Sequence, residues 1–121
     1  MAGEGTEEEA VESLRLVWPA YFADPENVPP MLPIRVRLEA YSGLLGHITE
    51  ATDQIAADLA ASDVRFGVLA GAASPIPWGQ AARATAELSP RAFLTIVPAA
   101  GHFPWLEAPG AVRSALERLS I

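Results

Sequence analysis

Two short apolar runs, Val64-Arg65-Phe66-Gly67-Val68-Leu69-Ala70 and Ala92-Phe93-Leu94-Thr95-Ile96-Val97, decide the fold class. Each has the length and the β-branched and aromatic content of a buried strand. Between them, Gly71 to Pro77 reads as a loop, Pro77 suits the first turn of a helix, and Ala81, Ala82, Ala84 and Leu88 continue it until Ser89-Pro90. Strand, helix and strand in this span predict a right-handed crossover between parallel strands, both covered on their faces. A last helix is expected from Pro109 to Leu119, with Val112, Leu116 and Leu119 inward.

Upstream the character is helical. Thr6-Glu7-Glu8-Glu9 is a capping box, and Ala10, Leu14, Val17, Trp18 and Tyr21 follow at helical spacing until Pro19 interrupts them. Pro25, Pro29, Pro30 and Pro33 make residues 24–33 a connector that neither a helix nor a central strand can include. Val36, Ala40, Leu44 and Leu45 predict one short helix. Ile48, Ile55 and Leu59 predict a second, ending near Ala61 and capped by Thr49 or Thr52. The fold class is therefore α/β: a helical segment over 1–62, then a β-α-β-α portion over 63–121, forming one compact domain.

The 121 residues hold one core, and with half of them apolar and 19% charged the chain can bury one. A net charge of −7 without a basic stripe excludes a phosphate-binding surface, so no nucleic-acid partner is expected. The acidic run Glu4, Glu7, Glu8, Glu9 and Glu12 reads as a solvated helix start. The absence of cysteine removes disulfides and thiolate chemistry, and no apolar run reaches the length of a bilayer span. With an acidic N-terminus unlike a signal peptide, these features give the expectation of a cytoplasmic chain without membrane contact. His47 stands alone, with no second ligand at a metal spacing, and no cofactor is implied.

The stretch after the second strand is the distinctive one: Val97-Pro98-Ala99-Ala100-Gly101-His102-Phe103-Pro104-Trp105-Leu106-Glu107-Ala108-Pro109. With Leu69-Ala70-Gly71 followed by Ser74-Pro75-Ile76-Pro77, it resembles the end of an α/β-hydrolase, in the proline iminopeptidase-like and haloperoxidase-like branch. The resemblance implies a partial α/β-hydrolase fold, lid plus last two strands, with His102 as the triad-type base. Gly101 is expected to let the backbone turn so that the imidazole projects at the open end of the sheet. Residues 14–33 and 36–45 then look like the lid. Trp18, Tyr21, Phe22, Met31, Ser74 and Phe103 become candidate pocket residues, although the four lid side chains at helical spacing read more readily as core.

Two departures from the family pattern bear on activity. No G-x-S-x-G elbow surrounds any serine, so the chain lacks a nucleophile and the associated oxyanion hole. Ser74 stands where the family usually has the histidine-orienting aspartate; Asp63 belongs to the opposite end of the sheet, and Glu107 is read as a helix-start carboxylate. The resemblance thus implies the C-terminal half of a serine hydrolase of ester, amide or N-terminal peptide bonds, inactive without its missing N-terminal half. The alternative is a non-catalytic binding or assembly module on the same fold. Expected partners are an acyl or peptide small molecule and either that complementary half or a second copy. Two strands leave open edges, with Val64, Phe66, Val68, Phe93 and Leu94 at or beside the surface of association.

Overall fold

Parallel pairing of the two apolar runs organises the chain. In a computed structural model that describes residues 5–120, β1 (Phe66–Gly71) lies parallel to β2 (Ala92–Val97), in a register running from Phe66 opposite Ala92 to Gly71 opposite Val97. Among the described residues these are the only strands. The strand β1 starts two residues later than the apolar run because the Ser62 hydroxyl takes the Val64 amide at 3.1 Å in a local turn. At the start of the sheet Asp63 pairs with Arg91 at 3.1 Å, which puts this carboxylate at the end remote from His102, as expected.

The crossover between the strands is α3 (Trp78–Glu87), which packs on both of them. After β2 come the single turn α4 (Pro104–Glu107) and the last helix α5 (Gly110–Leu119), both against β1. Phe93 is buried: its ring fills the space beside Gly67, and the Arg118 guanidinium of α5 lies 4.1 Å from its centroid. Of the five residues expected at an association surface, Phe93 is therefore covered within the chain, while Val64 is open. Leu116 of α5 is exposed rather than inward, because the half-buried side of the helix is the one that carries Val112, Ala115 and Leu119.

The N-terminal half holds two helices. The Thr6 hydroxyl accepts the Glu9 amide at 3.1 Å and a Glu9 carboxylate oxygen accepts the Thr6 amide at 2.8 Å, starting α1 (Glu7–Val17) as expected. Pro19 then tightens the chain into a 3₁₀ turn, Trp18–Tyr21. Glu4 of the acidic run lies outside the described residues. The two short helices expected over residues 36–61 are instead one, α2 (Leu38–Ala61). Thr49 and Thr52 do not cap anything. Their hydroxyls donate to the carbonyls of Leu45 and Ile48, at 2.8 and 2.7 Å, and stay inside the helix, with no proline in the span to break it. Among the described residues no helix is long and apolar enough to cross a membrane.

The burial is shallow. Phe22, Phe93, Val97, Ala100 and Pro104 are the buried apolar side chains among the described residues. Backbone fit therefore matters as much as side-chain packing, and two glycines separate the two contributions. A methyl group at Gly67 would press on the Phe93 ring, which can swing aside, whereas at Gly71 it would overlap the carbonyls of Gly101 and Ala100, which cannot. In urea unfolding Gly71→Ala is expected to lower the stability by about 3 kcal/mol or more, against about 1 kcal/mol for Gly67→Ala.

Candidate functional site

The loops that leave the two strands are laced together by backbone hydrogen bonds. Ala72 donates to the Val97 carbonyl at 3.0 Å and Ala73 to the Ala100 carbonyl at 2.9 Å, so the pairing of β1 with β2 continues past both strand ends. The Ser74 amide then turns back to the Gly71 carbonyl at 3.1 Å. This lacing carries Ser74 and His102, 28 positions apart in sequence, to the same edge. Ser74 Oγ lies 3.2 Å from His102 Nδ1 in a half-buried contact. The same hydroxyl oxygen accepts the Ile76 amide at 3.2 Å, which fixes its position.

The two side chains line one cleft of about 250 Å³ with Leu69, Ala70, Gly71 and Thr85 among its walls. A mostly apolar lining around a hydroxyl–imidazole pair suits a small ligand with one polar reacting group. His102 is half-exposed beyond the carboxyl end of β2, as its sequence setting predicts. The means of getting there differ. The left-handed residue of the turn is Ala99, with φ 56°, not Gly101. Gly101 is needed for room: a methyl group there would strike the Tyr21 carbonyl and the Phe22 backbone.

The close approach is used. His102 N donates to the Tyr21 carbonyl at 2.6 Å, and the Tyr21 ring lies over the imidazole with centroids 5.3 Å apart. Phe103 touches Trp18, Tyr21 and Phe22 at centroid separations of 5.2, 5.5 and 5.8 Å. Trp18 and Phe22 therefore serve as aromatic core beneath the histidine loop, and the Trp18 indole donates to the Pro29 carbonyl at 2.8 Å, anchoring the proline connector. Tyr21 and Phe103 pack against His102 itself, outside the residues that line its cleft. Met31 lines a different cavity, with Val11, Arg15 and Leu32. His47 is exposed on α2, and among the described residues no cluster of metal-ligating side chains forms.

Glu107 has a part that sequence reasoning missed. It ends α4 rather than opening a helix, so its charge gains nothing from the helix dipole there. Its carboxylate instead accepts the Gly101 amide at 2.6 Å and the Ala23 amide at 2.8 Å. One carboxylate thus ties the histidine loop to the N-terminal segment. The available signal was an acidic residue at the unfavourable end of a turn that begins with Pro104, a placement that calls for a compensating partner. Glu107→Gln keeps the shape but replaces a charged acceptor by an amide that offers one acceptor oxygen, and is expected to cost about 1–3 kcal/mol in urea unfolding. The His102 amide should then exchange faster with solvent, since its Tyr21 partner is held through Ala23; unchanged stability and exchange would show that the clamp carries no load.

No family model matches the sequence, and no curated protein or solved structure matches it, so the reading of this site rests on its own geometry and on the residues quoted above.

Proposed function

We propose that the chain is the base-supplying, C-terminal portion of an α/β-hydrolase of the proline iminopeptidase-like and haloperoxidase-like branch, and that the nucleophile comes from a separate N-terminal half. The observation that carries this reading is the Ser74 to His102 Nδ1 contact at the carboxyl edge of a parallel pair of strands. A triad histidine is oriented through Nδ1 and works through Nε2. Ser74 takes the orienting place, accepting the Nδ1 proton, and the Nε2 lone pair is then the one that can take a proton from a serine and return it to a leaving alcohol or amine. Ester, amide or N-terminal peptide bonds are the matching substrates.

The chain alone lacks the reacting hydroxyl and the oxyanion donors, so it should not hydrolyse p-nitrophenyl esters or aminoacyl p-nitroanilides above a His102→Ala control. Mixed with the nucleophile-bearing N-terminal half of a hydrolase of this branch, it should give turnover that His102→Ala lowers by about a hundredfold or more. Turnover by the chain alone that is lost in Ser74→Ala would overturn the reading and make Ser74 the nucleophile. The tautomer is checked separately by ¹⁵N chemical shifts of the imidazole. The proton is expected on Nδ1 in the wild type, with that preference lost in Ser74→Ala.

A second reading, a non-catalytic assembly module, is favoured by a different observation. The 24-residue helix α2 packs closely on no other described helix or strand and leaves its apolar side chains open. Absence of turnover in the mixture, with self-association intact, is its expected signature.

A further inference from the structure

The apolar residues of α2 fall into a regular seam. Leu38, Tyr41, Leu45, Ile48, Ile55 and Leu59 follow alternating steps of three and four residues, with Thr52 completing the one gap in the series. This is the a/d spacing of a helix that packs along another helix, a narrower stripe than one that lies on a sheet. Tyr41, Leu44, Leu45, Ile48 and Ile55 are nevertheless 42–61% exposed. The acidic residues Glu39, Glu50 and Asp53 lie at b and f positions, off the seam.

We propose that α2 pairs antiparallel with α2 of a second copy of this chain. Charge chooses both the partner and its direction. In the antiparallel register that sets Leu38 against Ile55, Tyr41 against Thr52 and Leu45 against Ile48 of the second copy, the flanking g positions bring Arg37 of each copy to Asp58 of the other. Leu44 then meets the small Ala51. Both ion pairs form at once because the arrangement is twofold symmetric. A parallel pair in register would set Arg37 beside Ser42 and place the acidic halves, with Glu50, Asp53 and Asp58, side by side. Arg37 is 71% exposed and reaches Glu7 only at 3.9 Å, so it has the freedom to turn to Asp58. At this same end of the seam, a cleft of about 630 Å³ opens between the start of α1 and the first turns of α2, with Ala10, Leu38 and Tyr41 on its walls. The C-terminal turns of the second copy enter there.

The pairing is independent of the reading given to His102, and its test uses the whole chain. Sedimentation equilibrium should show a dimer at micromolar concentration, and Ile48→Glu should raise its dissociation constant about a hundredfold or more. Arg37→Glu and Asp58→Arg should each weaken the dimer about threefold to tenfold, and the double variant should restore it, which a folding defect would not do. The chain has no cysteine, so single spin labels report direction. Labels at Gly46→Cys should lie close across the pair, while labels at Glu39→Cys should be separated along the axis by about 22 Å. A compact monomer, a dimer indifferent to Ile48→Glu, or short distances at both label sites would overturn the proposal.

Discussion

The backbone of Gly101 is the point on which the arrangement of the chain turns. Its amide is held by the Glu107 carboxylate, its Cα faces the Tyr21 carbonyl too closely for any side chain, and its own carbonyl presses on Gly71 at the end of β1. Three segments distant in sequence thus meet at one residue without a β-carbon between them. Charge-assisted bonds of this kind are worth about 1.5–3 kcal/mol each, as much as the burial of one large apolar side chain. Because Glu107 holds Ala23 as well as Gly101, the first helical segment and the histidine loop rise and fall in stability together.

This backbone knot explains how a two-stranded sheet persists with so little covering. Two strands do not stand alone in water, and both strands here are edges. Their carboxyl ends are closed by the continued lacing of Ala72 and Ala73, while α3 and α5 cover what side-chain surface they can. The exposed Val64, Leu116 and the α2 seam are the remainder, apolar surface that the fold gathers without burying. Association is the natural outlet for such surface. The seam of α2 offers a regular one, whereas the sheet's most apolar ring, Phe93, is already spent on Arg118.

Features governed by local chemistry were legible in the sequence. The Thr6 capping box, the proline connector, the second strand at Ala92–Val97 and the place of His102 each follow from a few adjacent side chains, and each appears where expected. The features that misled depend on distant partners or on choices between near-equal local options. Thr49 and Thr52 suit a cap or a helix interior, and the absence of any proline decided for the interior. In the sequence Gly101 reads as the residue with the needed dihedral freedom, yet Ala99 takes the left-handed conformation, and what Gly101 provides is clearance from a carbonyl 80 residues earlier in the chain. Glu107 could be located only by knowing that Ala23 comes beside Gly101. Of the candidate pocket, Ser74 and His102 meet as adjacent loops after parallel strands should, while Trp18 and Phe22 went to the core because their apolar area was needed beneath the loop.

The hydroxyl at position 74 sets a limit on any chemistry the site supports. A serine hydroxyl can accept a proton from Nδ1 or donate one to it, but it carries no charge to stabilise the imidazolium that forms when Nε2 takes a proton. In Ser-His-Asp triads, loss of the carboxylate alone lowers kcat by about 10⁴. Among the described acids none contacts His102: Asp63 is at the far end of the sheet beside Arg91, and Glu107 is occupied by two backbone amides. On the proposed function, therefore, the absent half must bring more than a nucleophile. It must also bring an acid to the Ser74 side of the imidazole, from a strand next to β1, or the assembled enzyme works about four orders of magnitude below a complete triad. The open edge of β1 is where such a strand would pair.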